Sequence, residues 1–139
     1  MQLKRDTEYA LRIQFCFESG NAQEEAPSQS LTINELCVGT GIPRIGLVRI
    51  CARLEEAGFI RSETGETGEV CYRHTDSLKN ASLLDIIMVT EPGSQLFGVF
   101  DRNSPFYKAA EHQLQAYQDS FEQFLSQLTM GSILPPKEE

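Results

Sequence analysis

The stretch IPRIGLVRICARLEEAG, residues 42–58, predicts the helix that organises this chain. Pro43 suits the start of a helix, where a missing N–H leaves no hydrogen bond unmade. Gly58 suits the position just after a helix end. The apolar residues recur at helical spacing and form one stripe, made of Leu47, Ile50, Cys51 and Leu54. The three arginines Arg44, Arg49 and Arg53 lie off this stripe, so we expect a buried apolar face and a basic outer face.

A shorter helix is predicted just before this one. Residues 32–35, Thr-Ile-Asn-Glu, form a capping-box pattern in which the Thr and Glu side chains each satisfy a backbone N–H of the first turn. Gly39 and Gly41 are expected to end this helix and make a tight turn. Two short helices joined by a turn that contains glycine are typical of a helix-turn-helix unit.

The residues after Gly58 predict a β-hairpin. Residues 59–61 form an apolar strand pattern, residues 63–69 form a loop with two glycines, and residues 70–73 form a returning strand. A hairpin directly after a candidate recognition helix is a wing. The fold class we predict is therefore mainly α with a small β-hairpin wing, a winged helix-turn-helix followed by a long C-terminal helix.

Two further helices frame this unit. The first is expected over about residues 4–18, closed by Gly20, with apolar residues at helical spacing, which are Tyr9, Ala10, Ile13, Cys16 and Phe17. Residues 19–30 are polar and show no periodicity. Residues 82–85, Ser-Leu-Leu-Asp, form a second capping box for a short helix that reaches about Val89, before Pro92 and Gly93 break it.

The last helix is expected over residues 104–130, with Ser104 as N-cap and Pro105 in the first turn. Its apolar residues alternate at spacings of three and four, as in a coiled-coil seam. They are Tyr107, Ala110, Leu114, Tyr117, Phe121, Phe124 and Leu128. We expect these residues to form a homodimer interface; the alternative is that the helix packs only on its own domain.

Length and hydropathy limit the organisation of the chain. Its 139 residues fit one domain, which we divide into a DNA-binding unit (1–75), a connecting helix and loop (76–103), a dimerisation helix (104–130) and a tail (131–139). The N-terminus does not resemble a signal peptide, and no apolar run approaches the roughly 18 residues that span a bilayer. A cytoplasmic protein with no membrane association is the simplest expectation.

Charge and composition narrow the function. The chain has 12 Lys and Arg against 20 Asp and Glu, a formal charge of −8, so any nucleic-acid contact depends on a local basic patch. The four cysteines fall in apolar patterns and form no CxxC pair, which favours buried free thiols. His74 and His112 have no nucleophile or carboxylate at a meaningful spacing, so we predict that the protein is not an enzyme.

Taken together, the motifs resemble a known family, the IscR/NsrR/CymR-type winged-helix transcriptional regulators of bacteria, often called the Rrf-two family. The stretch MQLKRDTEYALR resembles the opening helix of that family. Residues 41–44 with Leu47, Ile50 and Leu54 resemble its recognition helix. Residues 57–62 resemble the start of its wing, and residues 82–91 resemble the helix that follows.

This resemblance implies a homodimeric DNA-binding transcriptional regulator, with the recognition helix, residues 43–57, in the major groove and the wing in an adjacent groove. Repression is the role that the resemblance suggests, and the sequence itself leaves the sign of regulation open. The implied DNA-binding residues are Arg44, Ile45, Val48, Arg49, Arg53 and Arg61. Arginine can bind guanine edges or phosphates in such a pose.

The sequence also departs from that family in three ways. Many members bind an iron–sulfur cluster through three cysteines before the long helix, but residues 91–103 contain no Cys, so no cofactor or metal is expected. The wing carries Glu63, Glu66 and Glu69 where basic residues are usual. Gly46 stands where a large residue is usual.

These departures leave two functions open. One is a DNA-binding regulator without a cluster, controlled by an unidentified small molecule, a protein effector or thiol oxidation. The alternative is a degenerate winged-helix protein-interaction module that has lost DNA binding, which the acidic wing and acidic long helix favour.

Overall fold

The computed structural model describes residues 4–20, 30–92 and 103–134. Within these ranges it is mainly helical, with a small antiparallel sheet, as expected. In chain order the elements are α1 (Arg5–Gly20), β1 (Leu31–Thr32), α2 (Ile33–Thr40), α3 (Arg44–Glu56), β2 (Ile60–Thr64), β3 (Val70–His74), α4 (Asp76–Lys79), α5 (Leu83–Thr90), α6 (Pro105–Ser126) and α7 (Met130–Ile133).

Helix α2 begins with the predicted capping box. Thr32 Oγ1 accepts from the Glu35 N–H at 3.1 Å, and a Glu35 carboxylate oxygen accepts from the Thr32 N–H at 3.3 Å. The predicted role of Gly39 as a helix terminator is wrong, because Gly39 lies inside α2 and Gly41, at φ 73°, ends it. A Cβ at Gly39 would lie 2.8 Å from Cys16 Sγ, so this glycine lets α1 approach α2 closely.

Helix α3 is one residue shorter at each end than the predicted span of 43–57. Pro43 occupies the N-cap rather than the first helical position. The predicted apolar stripe is buried in full, at Leu47, Ile50, Cys51 and Leu54. At the other end the Gly58 N–H donates to the Glu55 carbonyl at 3.0 Å, and the Phe59 N–H donates to the Leu54 carbonyl at 2.9 Å. This pair of bonds is a Schellman motif with Gly58 at φ 82°, as its predicted position requires.

The wing is a regular hairpin that is longer than predicted. Strands β2 and β3 pair antiparallel from Ile60↔His74 to Thr64↔Val70, so the connecting loop covers only residues 65–69. Strand β1 adds to β3 and gives the order β1-β3-β2. The sequence does not predict β1, because two residues are too few to show alternation, and it does not predict α4, because a single turn is too short to show helical periodicity.

The core lies where α1, α2, α3 and α5 meet. Its residues are completely or almost completely buried and include Ala10, Ile13, Leu36, Leu47, Ile50, Leu54, Ile60, Leu78 and Ile86. Buried Gln14 donates from Nε2 to the Leu78 carbonyl at 3.0 Å, which attaches α4 to α1. Helix α1 spans Arg5–Gly20, two residues beyond the expected end at about residue 18, and Gly20 is its last described residue.

The C-terminal part follows the sequence prediction where α5 and α6 begin and differs from it after Ser126, where a short helix α7 was not predicted. Helix α5 has the predicted capping box at Ser82 and Asp85, and Ser104 caps α6 as predicted. The predicted span of 104–130 for the last helix is wrong, because α6 ends at Ser126. Leu128 lies in the turn that follows, where its carbonyl accepts from the Leu83 N–H at 2.7 Å. The chain therefore turns back onto α5 before α7 begins.

No described helix is both long enough and apolar enough to cross a membrane.

The Schellman motif after α3 gives a test of the turn that joins α3 to the wing. Gly58→Ala should lower the free energy of unfolding by about 1–2 kcal/mol, because a Cβ disfavours a left-handed backbone. No heavy atom lies within 4 Å of the added Cβ, so crowding does not contribute.

Urea denaturation followed by circular dichroism would measure the loss. Gly58→Asn is the control at the same position, and it should lose less because Asn tolerates this backbone region better. Equal losses for the two variants would contradict a conformational origin.

Candidate nucleic-acid interface

The outward face of α3 is open to solvent near its N-terminus. Ile45 is 87% exposed and Val48 is 40% exposed, and Arg44 is exposed beside them. Val38, in the last turn of α2, is 86% exposed and adds an apolar residue that the sequence analysis did not single out. A helix end with exposed apolar and basic side chains can contact the edges of base pairs, where thymine methyl groups and guanine acceptors lie.

The other two arginines of α3 are held by α1. Arg49 donates from Nη1 and Nη2 to the two carboxylate oxygens of Asp6, both at 2.8 Å. Arg53 donates from Nη1 to Asp6 Oδ2 at 3.4 Å and to the Thr90 carbonyl at 3.0 Å. The structure therefore divides the predicted basic strip into a free end at Arg44 and a paired part at Arg49 and Arg53.

Asp6 is the residue that the sequence analysis missed. It lies 43 positions before Arg49, and neither residue stands in a motif that would link them. The hydrogen bonds from Arg49 hold the pKa of Asp6 below its usual value, and the same contact raises the pKa of Arg49. Both groups therefore keep their charge at neutral pH.

A polar network extends this pair to the end of α5. Thr7 Oγ1 hydrogen-bonds Thr90 Oγ1 at 2.7 Å and donates to Glu91 Oε2 at 2.5 Å, and Lys4 Nζ lies 3.6 Å from Glu91 Oε1. An open cleft of about 660 Å³ lies beside this network. It is lined by Lys4, Arg5, Asp6, Arg49, Arg53, Thr90, Glu91 and Pro92. The start of α1, the recognition helix and the end of α5 thus meet at one polar cleft.

Gly46 has a packing role. A Cβ at Gly46 would lie 3.3 Å from Cε2 of Tyr9, so the Tyr9 ring lies over the helix backbone at this point. The Arg12 guanidinium lies 5.5 Å from the centre of the same ring and also hydrogen-bonds Glu8. The Tyr9 ring therefore packs against α3 at the place where residue 46 has no side chain.

The wing presents mixed charge. Arg61 is exposed on β2, opposite Arg73 in the strand register. Arg73 Nε lies 3.3 Å from a carboxylate oxygen of Glu63, which reduces the repulsion that Glu63 would exert on a phosphate. Glu66 and Glu69 are exposed in the loop between the strands. Arg61 thus lies on the wing and not with the α3 residues. The family resemblance predicts that the wing contacts an adjacent groove of the DNA.

The predicted dimer residues lie along one side of α6, except for Leu128, which follows the helix. Tyr117 is 54% exposed and Phe124 is 56% exposed, whereas Tyr107, Ala110, Leu114, Phe121 and Leu128 are half-buried. The buried residue of the described α6 is Leu125, which was not part of the predicted seam. Helix α6 packs on α5 and leaves much of its aromatic surface open.

The thiols and histidines do not form a metal-binding cluster in the described residues. Within these parts of the chain, no three His, Cys, Asp or Glu side chains come together at metal-binding distance. Cys51 is buried, and its burial raises the pKa of its thiol to about 12, so the thiolate is disfavoured. His74 packs on Phe17 with ring centres 5.4 Å apart, and burial lowers its pKa.

A protein-family model described as "Rrf2: Iron-dependent Transcriptional regulator" matches residues 3–136. The chain belongs to the Rrf2 family. This confirms the resemblance to the Rrf-two family, whose members are transcriptional regulators with a winged-helix fold. A search of curated protein sequences gives no match.

Solved structures of other Rrf2 regulators have the same fold. CymR of Staphylococcus aureus, in its oxidized form, is 18% identical over 100% of both chains, with a TM-score of 0.64. CymR (YrzC), the global cysteine regulator of B. subtilis, is 17% identical over 96% of this chain and 95% of its own, with a TM-score of 0.65. IscR of T. potens is 19% identical over 96% of this chain and 85% of its own, with a TM-score of 0.60.

The Asp6–Arg49 pair predicts a pH dependence of stability. The pKa of Asp6 is lower in the folded than in the unfolded chain, so the pair stabilises the fold fully above the unfolded pKa. This stabilisation is lost as the pH falls through the folded pKa. Arg49→Ala should therefore reduce the loss of stability between about pH 5 and about pH 2, and the pKa of Asp6 should rise.

Urea denaturation at both pH values, with ¹³C NMR titration of the Asp6 carboxyl group, would measure these effects. The matched control is Lys79→Ala, which removes a cation from α4. Helix α4 is attached to α1 through Gln14, not through Asp6. An Asp6 pKa that is the same in wild type and Arg49→Ala would refute the assignment.

Proposed function

We propose that this protein is a DNA-binding transcriptional regulator, an Rrf2 member in which α3 lies in the major groove. The observation that carries the proposal is the open N-terminal part of α3, where Ile45 is 87% exposed next to the exposed Arg44. An apolar residue so exposed at the start of a recognition helix is well placed for thymine methyl groups. Val48 and Arg49 extend this surface by one turn. Arg61 on the wing would reach the sugar-phosphate backbone of the DNA beside the adjacent groove.

The regulator would work without an iron–sulfur cluster. Such clusters need thiolate ligands, and the segment before α6 that holds them in many family members contains no cysteine here. The four cysteines lie in α1, α2, α3 and β3, where each is buried or half-buried. These positions do not bring three thiolates to one site, so the proposed regulator carries no cluster.

Two copies of the chain would pair through α6. This helix of 22 residues is about 33 Å long, and Tyr117 and Phe124 are more than half exposed along it. A two-fold dimer would cover this surface and place two α3 helices for two half-sites of one operator. In this arrangement residues 1–75 would form the DNA-binding unit, and α6 would be the dimerisation element.

DNA binding can be tested with fluorescence anisotropy against the upstream DNA of the protein's own gene, in a salt series. Wild-type protein should bind with an affinity that falls as salt rises, because phosphate contacts release counterions. Arg49→Ala should weaken binding by about 1–3 kcal/mol, which is roughly 5-fold to 150-fold.

Lys79→Ala is the control for the loss of one positive charge, since Lys79 lies at the end of α4 and is not one of the proposed DNA contacts. It should change the affinity much less. Equal affinities for wild type and Arg49→Ala would contradict the proposed interface.

Dimerisation can be tested by light scattering coupled to size-exclusion chromatography. The wild type should have twice the chain mass of 15.6 kDa. Phe124→Glu should give a monomer, because a buried unpaired carboxylate is strongly unfavourable in an apolar interface. Gln123→Glu adds the same charge on the opposite side of α6 and should remain dimeric. A monomeric wild type would refute the α6 interface.

A protein-interaction module is the second candidate. It is favoured by the exposed Glu66 and Glu69 of the wing, which would oppose DNA phosphates. A folded dimer that binds no duplex DNA at low salt, but retains a protein partner, would favour this function over the first.

A further inference from the structure

We propose that Asp6 acts as an internal substitute for a DNA phosphate: its carboxylate holds Arg49 and Arg53 in the free protein and must give them up when DNA binds. Asp6 would thus set how strongly the protein binds DNA of any sequence. This inference rests on the proposed DNA-binding function and names a residue that tunes it.

The geometry of the pair matches that of a phosphate contact. Arg49 donates two parallel N–H bonds to Asp6, both at 2.8 Å. A guanidinium group binds carboxylate and phosphate oxygens in this same two-pronged arrangement. The carboxylate therefore occupies the positions that two phosphate oxygens would take on the Arg49 side chain.

The pair lies where DNA could replace it. The side chain of Arg49 is 47% exposed and that of Asp6 is 25% exposed, so the contact lies near the protein surface. Arg49 follows Ile45 by one helical turn, and Ile45 is the most exposed large apolar residue of α3. Partly exposed ion pairs are individually weak, so a phosphate can compete with the carboxylate for Arg49.

Asp6 is shared by two arginines, whereas the neighbouring acid has its own partners. Arg53 Nη1 lies 3.4 Å from Asp6 and also donates to the Thr90 carbonyl at 3.0 Å, which keeps it near the cleft. Glu91 instead contacts Lys4 and Thr7. Removing the Asp6 charge would therefore free Arg49 and remove one of the two contacts of Arg53, without breaking the Glu91 contacts.

The expected consequence is a change in salt dependence. When a phosphate displaces Asp6, the freed carboxylate attracts cations again, which offsets some of the counterions released from DNA. The chain has a formal charge of −8, so its affinity for any DNA depends on the few arginines that can reach phosphates. A carboxylate that competes for two of them lowers that affinity.

The test compares the wild type, Asp6→Asn and Glu8→Gln for binding to a random-sequence duplex of about 24 base pairs, a length that exceeds two helical turns. Glu8→Gln removes an equal charge from the same helix, but Glu8 pairs with Arg12 and not with α3. Asp6→Asn should bind more tightly at low salt, and its plot of log affinity against log salt should be steeper by about 1–2. Glu8→Gln should stay close to the wild type.

The double variant Asp6→Asn/Arg49→Ala should lose most of this gain, because the gain depends on the released guanidinium group. If Asp6→Asn and Glu8→Gln have equal slopes, or if the gain persists without Arg49, the inference is wrong while DNA binding stands. If neither the wild type nor Asp6→Asn binds at the lowest salt, the proposed function fails as well.

A second measurement uses the unmodified protein and so does not depend on the folding of a variant. The pKa of Asp6, followed by ¹³C NMR of its carboxyl group, should rise when the wild type is saturated with DNA. It should reach at least the value found in free Arg49→Ala. A pKa that stays at its free-protein value would show that Asp6 keeps its arginines in the complex and would overturn the inference.

Discussion

The burial of one stripe of α3 against α1 and α5 is the constraint on which the rest of the structure depends. Leu47, Ile50 and Leu54 have no exposed surface, and they meet Ile13 of α1 and Ile86 of α5 in one core. Burying apolar side chains of this size contributes roughly 1.5–3 kcal/mol each. Because this stripe fixes the rotation of α3, it also determines which side chains face outward.

The rotation of α3 has a second consequence, since residues at the edge of the buried stripe meet the neighbouring helix. Arg49 and Arg53 lie at this edge, and there they reach Asp6 of α1. Arg44 and Ile45 lie farther from α1 and stay open to solvent. One helix therefore carries both an open surface and a surface already paired with an acid, and the two parts have different electrostatic properties.

Two glycines inside helices, Gly39 and Gly46, lie where α1 comes close to them. Gly39 admits the Sγ atom of Cys16, and Gly46 admits the ring of Tyr9, so both let α1 lie close to the helix-turn-helix unit. The N-terminal helix thus contributes directly to the face of the recognition helix, through Asp6 and Tyr9. In this protein α1 is part of the candidate interface as well as part of the core.

The sequence by itself determined the elements that local signals encode. Capping boxes placed the starts of α2 and α5, Gly58 placed the end of α3, and the apolar stripe of α3 identified its buried face. These signals act over a few residues, so a single sequence contains all the information that they need. The family resemblance followed from the order of these motifs along the chain.

Only the tertiary structure decided what depends on distant residues. The pairing of Asp6 with Arg49 joins positions 43 residues apart, and no local pattern specifies it. The end of α6 at Ser126 depends on the return of Leu128 to Leu83, although the heptad spacing continues past that point. Strand β1 exists because β3 lies beside it. In each case the deciding partner comes from another element, so the fold had to bring the two together first.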